Sequence, residues 1–400
     1  MGFRRGITKG PHSSGKCSAL QSAWTLVALL LAACAAPPVA KVEIPALPGF
    51  AAVGFDALPG WTDDDMDHVQ VALLQSCRAL GARLAWREIC QAVGEWLSPS
   101  AAEVRRFFET RFTPYRILGE EGSDQAFLTG YFEPVLQGSR RPSAIYRYPV
   151  YRAPDDLVSV ELAGLYPELA KLRLRGRLAG RKLVPYFSRA EIDADPSPLA
   201  GNEILWVDDP LELFFLQVQG SGRVLLEDGR RVRLGYADQN GHPYRPIGRW
   251  LVEQGMLSPD QVTMRSIKDW AREHPEQSRQ LMNYNPSYVF FREIADDLPG
   301  PLGSLGVSLT AARSIAVDPR WLPLGAPVYL ATTWPGSDTP LNRLVFAQDT
   351  GGAIKGRLRA DFFWGTGPEA GERAGAMKQA GRLWLLLPRS LDPVQSFSRP

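Results

Sequence analysis

The chain is poor in residues that hold metals. Its four histidines and four cysteines are spread over 400 residues, with no H-x-x-x-H and no C-x-x-C pair, so zinc finds no local framework. Charge of one sign is also missing. Forty-five basic against 43 acidic residues leave a formal net charge of +2, and no global field draws the chain to nucleic acid or to an anionic surface. No G-x-G-x-x-G follows a strand and opens a helix, and strands do not alternate with helices as a dinucleotide-binding sheet needs. No period of 20 to 50 residues recurs, which excludes solenoids and propellers. The apolar run "AWTLVALLLAAC", residues 23–34, is shorter than the about 20 residues a membrane-spanning helix needs.

That run follows a basic segment carrying Arg4, Arg5, Lys9 and Lys16, which together read as an export signal. It ends in Leu31-Ala32-Ala33-Cys34, which resembles a bacterial lipobox. Residues 1–33 are therefore expected to be a lipoprotein signal peptide, with Cys34 lipidated at the start of the mature chain. Ala35 in place of an Asp points to the periplasmic face of the outer membrane. Residues 34–50, rich in Pro and Ala, read as a tether. Cys77 and Cys90 remain as an even pair in helical-looking sequence; a disulfide across a helical hairpin and two buried thiols are both open.

Beyond the tether, 45% hydrophobic and 22% charged residues suit a folded chain long enough for two domains. Helical spacing runs from about 62 to 111, and short strand-like runs follow from 117, among them "AFLTGYF", "YRYPVYR" and "LFFLQVQGSGRVLLEDGRRVRLGYA". Asp228-Gly229 predicts a hairpin turn. A second helical patch includes "SPDQVTMRSIKDWAREHP", with Ser258 as its expected cap. Strands return from about 304. The class is mainly β with helical decoration, and the order of segments suggests one β domain inserted into another.

The glycine-rich stretch "QDTGGAIKGRLRADFFWGTG", residues 348–367, is the most distinctive in the chain. A phosphate loop requires G-x-x-x-x-G-K-[ST] opening a helix, whereas Lys355 precedes a Gly and "RLRADFF" looks extended. A calcium loop requires alternating oxygens closed by a Glu, which the residues after Asp349 do not supply. "QGSGR" around Ser221 lacks G-x-S-x-G spacing. Carboxylates remain: the reading is a strand into Asp349, a turn at 350–352, a second extended segment, and Asp361 beside Phe362, Phe363 and Trp364. Apolar rings disfavour the charged form of a carboxyl group and make it an acid near neutral pH, the chemistry of glycosidic cleavage. The rings of 11 Trp, 12 Tyr and 17 Phe suit sugar faces as well as cores.

"DTGGAIKG" with "RADFFWGTGPEAGERAG", preceded by "SIAVDPRWLPLG", "LTGYFEPVL", "LQVQGSGRV", "GYADQNGHPYRPIGRWL" and "NPSYVFFRE", resembles the family of membrane-bound lytic murein transglycosylase A. The resemblance covers about 107–387. It implies a discontinuous double-psi β-barrel (51–131 and 250–400) with a second β-barrel inserted at 132–249, and a glycan groove between them. It implies cleavage of the β-1,4 bond between N-acetylmuramic acid and N-acetylglucosamine in peptidoglycan, closing a 1,6-anhydro ring without water. Asp361 is carried over as the acid/base. Asp349 and Asp318 become supporting groups, Thr129, Tyr131, Glu133, Gln219 and Ser221 groove residues, and Lys355 a charge that holds a carboxylate ionised or merely a solvated turn residue. The family implies no cofactor or metal. Peptidoglycan glycan strands are the expected partner, other cell-wall enzymes possible ones, and a monomer the expected state. Two rivals stay open on the sequence: a hydrolase using Asp349 as base towards water, and a glycan-binding lipoprotein without catalysis.

Overall fold

A computed structural model describes residues 49–172 and 174–391; the signal segment, Cys34 and the tether as far as residue 48 lie outside them. Strand β1 (Phe50–Ala52) is followed by helices α1 (Val69–Leu80), α2 (Leu84–Gly94) and α3 (Ala101–Arg111), where helical spacing predicts them. Cys77 of α1 and Cys90 of α2 form a disulfide, which answers the alternative the sequence leaves open. Helix α3 starts at a capping box: Ser100 N–H donates to Glu103 Oε2 at 2.8 Å, and Glu103 N–H to Ser100 Oγ at 3.3 Å.

The chain continues through β2 (Phe112–Ile117), β3 (Ala126–Glu133), β4 (Val135–Ser139), β5 (Tyr148–Tyr151), β6 (Val158–Ser159), β7 (Arg175–Ala179) and β8 (Lys182–Pro185). Next come α4 (Arg189–Ile192), β9 (Glu203–Val207), α5 (Pro210–Gln219), β10 (Ser221–Leu226), β11 (Arg231–Gln239), α6 (Ile247–Glu253), α7 (Met264–Glu273), α8 (Pro275–Asn283) and β12 (Val289–Ile294). The last section holds β13 (Ser314–Val317), β14 (Pro327–Thr333), β15 (Pro340–Asp349), β16 (Arg359–Thr366), α9 (Pro368–Ala376) and β17 (Lys378–Pro388).

Two sheets dominate. In the first, the strands run in the order β1-β2-β17-β14-β15-β13-β16-β3, and β3 pairs again with the start of β17, closing the last six into a ring. The pairs β13–β15 and β16–β3 are parallel. The second sheet runs β12-β11-β10-β4-β9-β5, and a bridge from Arg152 to Phe291 brings its two edges together. A small sheet of β6, β7 and β8 stands apart in pairing. Since β12 pairs with β11, the second sheet draws on residues as late as 294, beyond the expected limit at 249.

Alternation along the strands separates wall from core. Leu128, Ile315, Val317, Ala360, Phe362 and Trp364 belong to the main apolar core of the first ring, whereas Tyr131, Ala316 and Phe363 form a separate small apolar cluster with Leu309 and Ile354. The helical section is locked onto the ring by Arg313, whose fully buried guanidinium holds Asp64 through two contacts of 2.7 Å and also reaches Asp65.

Three local expectations give way. Residues 213–219, expected as strand, lie in α5, because a continuous apolar run has no period to distinguish helix from buried strand. The Asp209 carboxylate caps the N–H groups of Leu211 and Glu212, Pro210 opens the first turn, and Gly220 at φ 77° ends the helix. Ser258 does not cap the following helix; it bonds Gln261 in a turn, and Thr263 caps α7 by accepting from Ser266 N–H. The extended segment expected directly after 352 is turn and loop as far as 358, and β15 and β16 are separated by β13.

Candidate active site

Strand β13 carries the site by standing between two aspartates. Ala316 is paired with Asp349 of β15 on one side and with Asp361 of β16 on the other. Two strand spacings put these positions about 10 Å apart. Across β16 the parallel partner of Asp361 is Thr129 of β3. Thr129 and Tyr131 are two residues apart and so share a face. Thr129 Oγ1 donates to Asp361 Oδ1 at 2.6 Å, and Tyr131 Oη donates to Asp349 Oδ2 at 3.1 Å. One short motif of β3 thus reaches both carboxyl groups.

The two aspartates differ in their surroundings. Thr129 donates the only hydrogen bond to the Asp361 side chain among the described residues, leaving Oδ2 open. Burial pushes its carboxyl up to about 6; the Thr129 hydrogen bond and the Arg359 charge oppose the rise, and Asp349 adds to it. Asp349 is raised by burial too, against a fuller set of donors. Its Oδ1 accepts from Ser304 N–H at 2.8 Å, Ser304 Oγ at 2.9 Å and Thr350 N–H at 2.8 Å, while Oδ2 takes the Tyr131 hydroxyl. Tyr131 is buried, its ring 5.2 Å from that of Phe363, and burial followed by the two carboxylates keeps its phenol protonated as a donor.

Asp318 stands just past β13 and is tied elsewhere. Arg320 Nε donates to its Oδ1 at 2.8 Å, Arg320 also pairs with Oδ2, and Gly356 N–H donates to Oδ2 at 2.8 Å. Burial alone would raise this carboxyl, but those donors hold it at about 2. It anchors the loop before β16 and carries no proton at neutral pH. Lys355, in the same loop, is exposed and has no hydrogen bond or ion pair among the described residues.

Glu133 does not line a groove. It is fully buried, and it accepts from Arg223 Nε at 3.0 Å and Thr366 Oγ1 at 2.6 Å and pairs with the equally buried Arg233 Nε at 3.2 Å. Arg223 and Arg233 come from β10 and β11, so this cluster joins the two barrels. Gln219 also serves the joint, accepting from Phe132 N–H at 3.0 Å, and Ser221, half-buried, opens β10 opposite Gly235. Gly130 has a steric reason: a Cβ there would stand 2.6 Å from Trp364 Nε1 and 2.8 Å from the backbone of Ala374.

Residues 127–292 match the family model of the MltA specific insert domain, and residues 313–387 match that of the 3D domain. Membrane-bound lytic murein transglycosylase A of Escherichia coli K12 is 32% identical over 306 residues, covering 74% of this chain and 75% of that protein. The chain belongs to the MltA family. Among solved structures, a lytic transglycosylase, LtgG, of Burkholderia pseudomallei is 46% identical with a TM-score of 0.61, over 86% of this chain and 97% of that one. E. coli MltA with bound chitohexaose is 27% identical with a TM-score of 0.65, over 85% and 94%.

Within this MltA-family chain, sequence reasoning missed two site residues. Ser304, a double donor to Asp349, comes from a loop 45 residues earlier with no local signal. Arg359 was legible in principle, standing two residues before Asp361 on one strand and hence on the same face. Its Nη2 donates to Thr129 Oγ1 at 2.7 Å.

Proposed function

We propose that the chain is a peptidoglycan lytic transglycosylase that cleaves the β-1,4 bond between N-acetylmuramic acid and N-acetylglucosamine with Asp361 as single acid/base. The observation that carries this reading is a half-buried carboxyl held at about 6 with one oxygen free, in a member of this family. Protonated Asp361 gives its proton to the leaving glycosidic oxygen as the bond to the muramoyl C1 breaks. The resulting carboxylate then takes the proton of the C6 hydroxyl as that oxygen bonds C1, which closes the anhydro ring and restores the acid. An internal hydroxyl has a high effective concentration, so no second base must hold water.

The surroundings of Asp349 favour this reading over an inverting hydrolase. A base for water needs a lone pair facing the substrate, and the Asp349 oxygens are engaged by Ser304, Thr350 and Tyr131. Asp349 acts instead as a fixed partner that orients Tyr131. The glycan runs past the outer face of β3 and β16, between the barrels that Glu133 joins. The parallel pairs β13–β15 and β16–β3 support the double-psi form of the first barrel, with the second barrel inserted after β3.

The relatives named membrane-bound support membrane association, and no helix among the described residues is long and apolar enough to cross a membrane. Cys34 lipidation on the periplasmic face of the outer membrane provides the attachment. The enzyme works there as a monomer on glycan strands, alongside other cell-wall enzymes, in peptidoglycan turnover. Muropeptide chromatography with mass spectrometry after digestion of sacculi tests the reaction: 1,6-anhydromuramoyl ends from wild type and none from Asp361→Asn are expected. Free reducing ends in their place would establish the hydrolase, and binding without release the non-catalytic reading.

A further inference from the structure

We infer that Arg359 is a positioning residue which, through Thr129, fixes the acid proton of Asp361 on Oδ2, the oxygen left open on the outer face of the barrel. A hydroxyl has a single hydrogen to give. The Arg359 guanidinium can only donate, so its 2.7 Å contact makes Thr129 Oγ1 an acceptor on that side and turns the hydroxyl hydrogen towards Asp361 Oδ1, 2.6 Å away. With Oδ1 accepting, a proton on Asp361 has its place on Oδ2. Once that proton has left, the same relay and the nearby positive charge stabilise the carboxylate.

The relay is built rather than incidental. Arg359 Nη1 donates to the carbonyl of Ala360 at 2.6 Å and to that of Phe127 at 3.3 Å, and the guanidinium carbon lies 4.9 Å from the centre of the Phe127 ring. Phe127, Thr129 and Tyr131 alternate onto one face of β3, so the aromatic support, the relay hydroxyl and the donor to Asp349 form a row. Around Asp361, β3 supplies Thr129 and Tyr131, β15 supplies Asp349, and β13 supplies the uncharged Ala316. Lys378 of β17 stands opposite Thr129 in register, and Lys355 is exposed in the loop before β16. Arg359 is the cation whose charge opposes the raised proton affinity of Asp361.

The inference rests on Asp361 as the acid, and its test separates the two. In the full-length protein in detergent, the Asp361 carboxyl carbon is titrated by NMR in wild type, Arg359→Gln, Arg359→Lys and Thr129→Val, and anhydro-muropeptide release is followed against pH in parallel. Arg359→Gln and Thr129→Val are each expected to move the titration midpoint up by about half to one pH unit. The alkaline limb of activity moves with it, and kcat falls at least about tenfold at the optimum. Arg359→Lys keeps the charge and returns the midpoint to within about 0.3 unit of wild type, with kcat still lowered because the planar fork is lost. An unchanged midpoint in folded Arg359→Gln overturns the inference, whatever happens to rate. A wild type that releases no anhydro product overturns the transglycosylase reading, while the NMR midpoints still decide the role of Arg359.

Discussion

Asp349 and Asp361 are register partners of the same residue, Ala316, on opposite sides of β13. The arrangement puts two like charges on one face with an alanine between them. One is tied by donors from two loops and a tyrosine, and the other keeps an oxygen free. The ties differ, although both carboxyl groups are half-buried and burial raises both.

With Asp361 as the proposed acid, its proton sets the pH dependence of turnover. Its first task needs the protonated form, so kcat/KM is expected to be flat below about 6 and to fall about tenfold per unit above it. A profile rising through pH 6 to 8 would contradict an acid role.

The same group bears on stability. The folded carboxyl titrates at about 6 against 3.8 for an ordinary aspartate, so the folded state holds its proton more tightly. The stability drawn from it is present below pH 4 and lost as pH rises through 6. Asp361→Asn removes that penalty and keeps an acceptor for Thr129. Its melting temperature is expected to exceed that of wild type by roughly 2 to 4 °C at pH 7.5, with the gap closing near pH 4. Equal melting curves at both pH values would speak against a buried, raised carboxyl.

Tyr131→Phe deletes the hydroxyl that donates to Asp349 and keeps the ring against Phe363. A lost hydrogen bond to a charged group is worth about 1.5 to 3 kcal/mol, so kcat should drop at least about tenfold with the fold retained by circular dichroism. Unchanged kcat would remove Tyr131 from the site.

Glu133→Gln tests the joint between the barrels. It leaves the fully buried Arg233 facing a neutral amide, and breaking a buried pair from one side costs about 3 to 5 kcal/mol. Calorimetry should show a melting temperature lower by at least about 6 °C. A loss of turnover without a loss of stability would return Glu133 to the glycan groove.

Replacing Cys77 and Cys90 by Ser opens a loop closed at a sequence separation of 13. A bridge over a loop of about 15 residues contributes about 3 kcal/mol. The doubly substituted chain should melt several degrees lower, and wild type unfolded without reductant should show no free thiol at these positions by mass spectrometry.

Much of the fold and of the site was legible as a pattern. The three aspartates, the "TGYFEP" strand and the Asp228-Gly229 turn are local, and local sequence carries period and turn chemistry. Helix α5 was illegible because an apolar run is consistent with either element. Glu133 was misread for a related reason: a charged residue in a strand motif looks like surface until its partners, Arg223 and Arg233, are known to converge on it from β10 and β11.

By itself the sequence determined which carboxyl groups were available, which residues share a face with them, and that Asp361 sits among apolar rings. Only the tertiary structure decided their surroundings. Proton affinity depends on who donates to a carboxylate and how far water is excluded, and those donors arrive from afar: Thr129 from 232 residues away, Ser304 from 45. Strand pairing across β13 and β16 brought Asp349, Asp361 and Thr129 together, while loop donors tied down Asp349 and Asp318 and left one oxygen of Asp361 free.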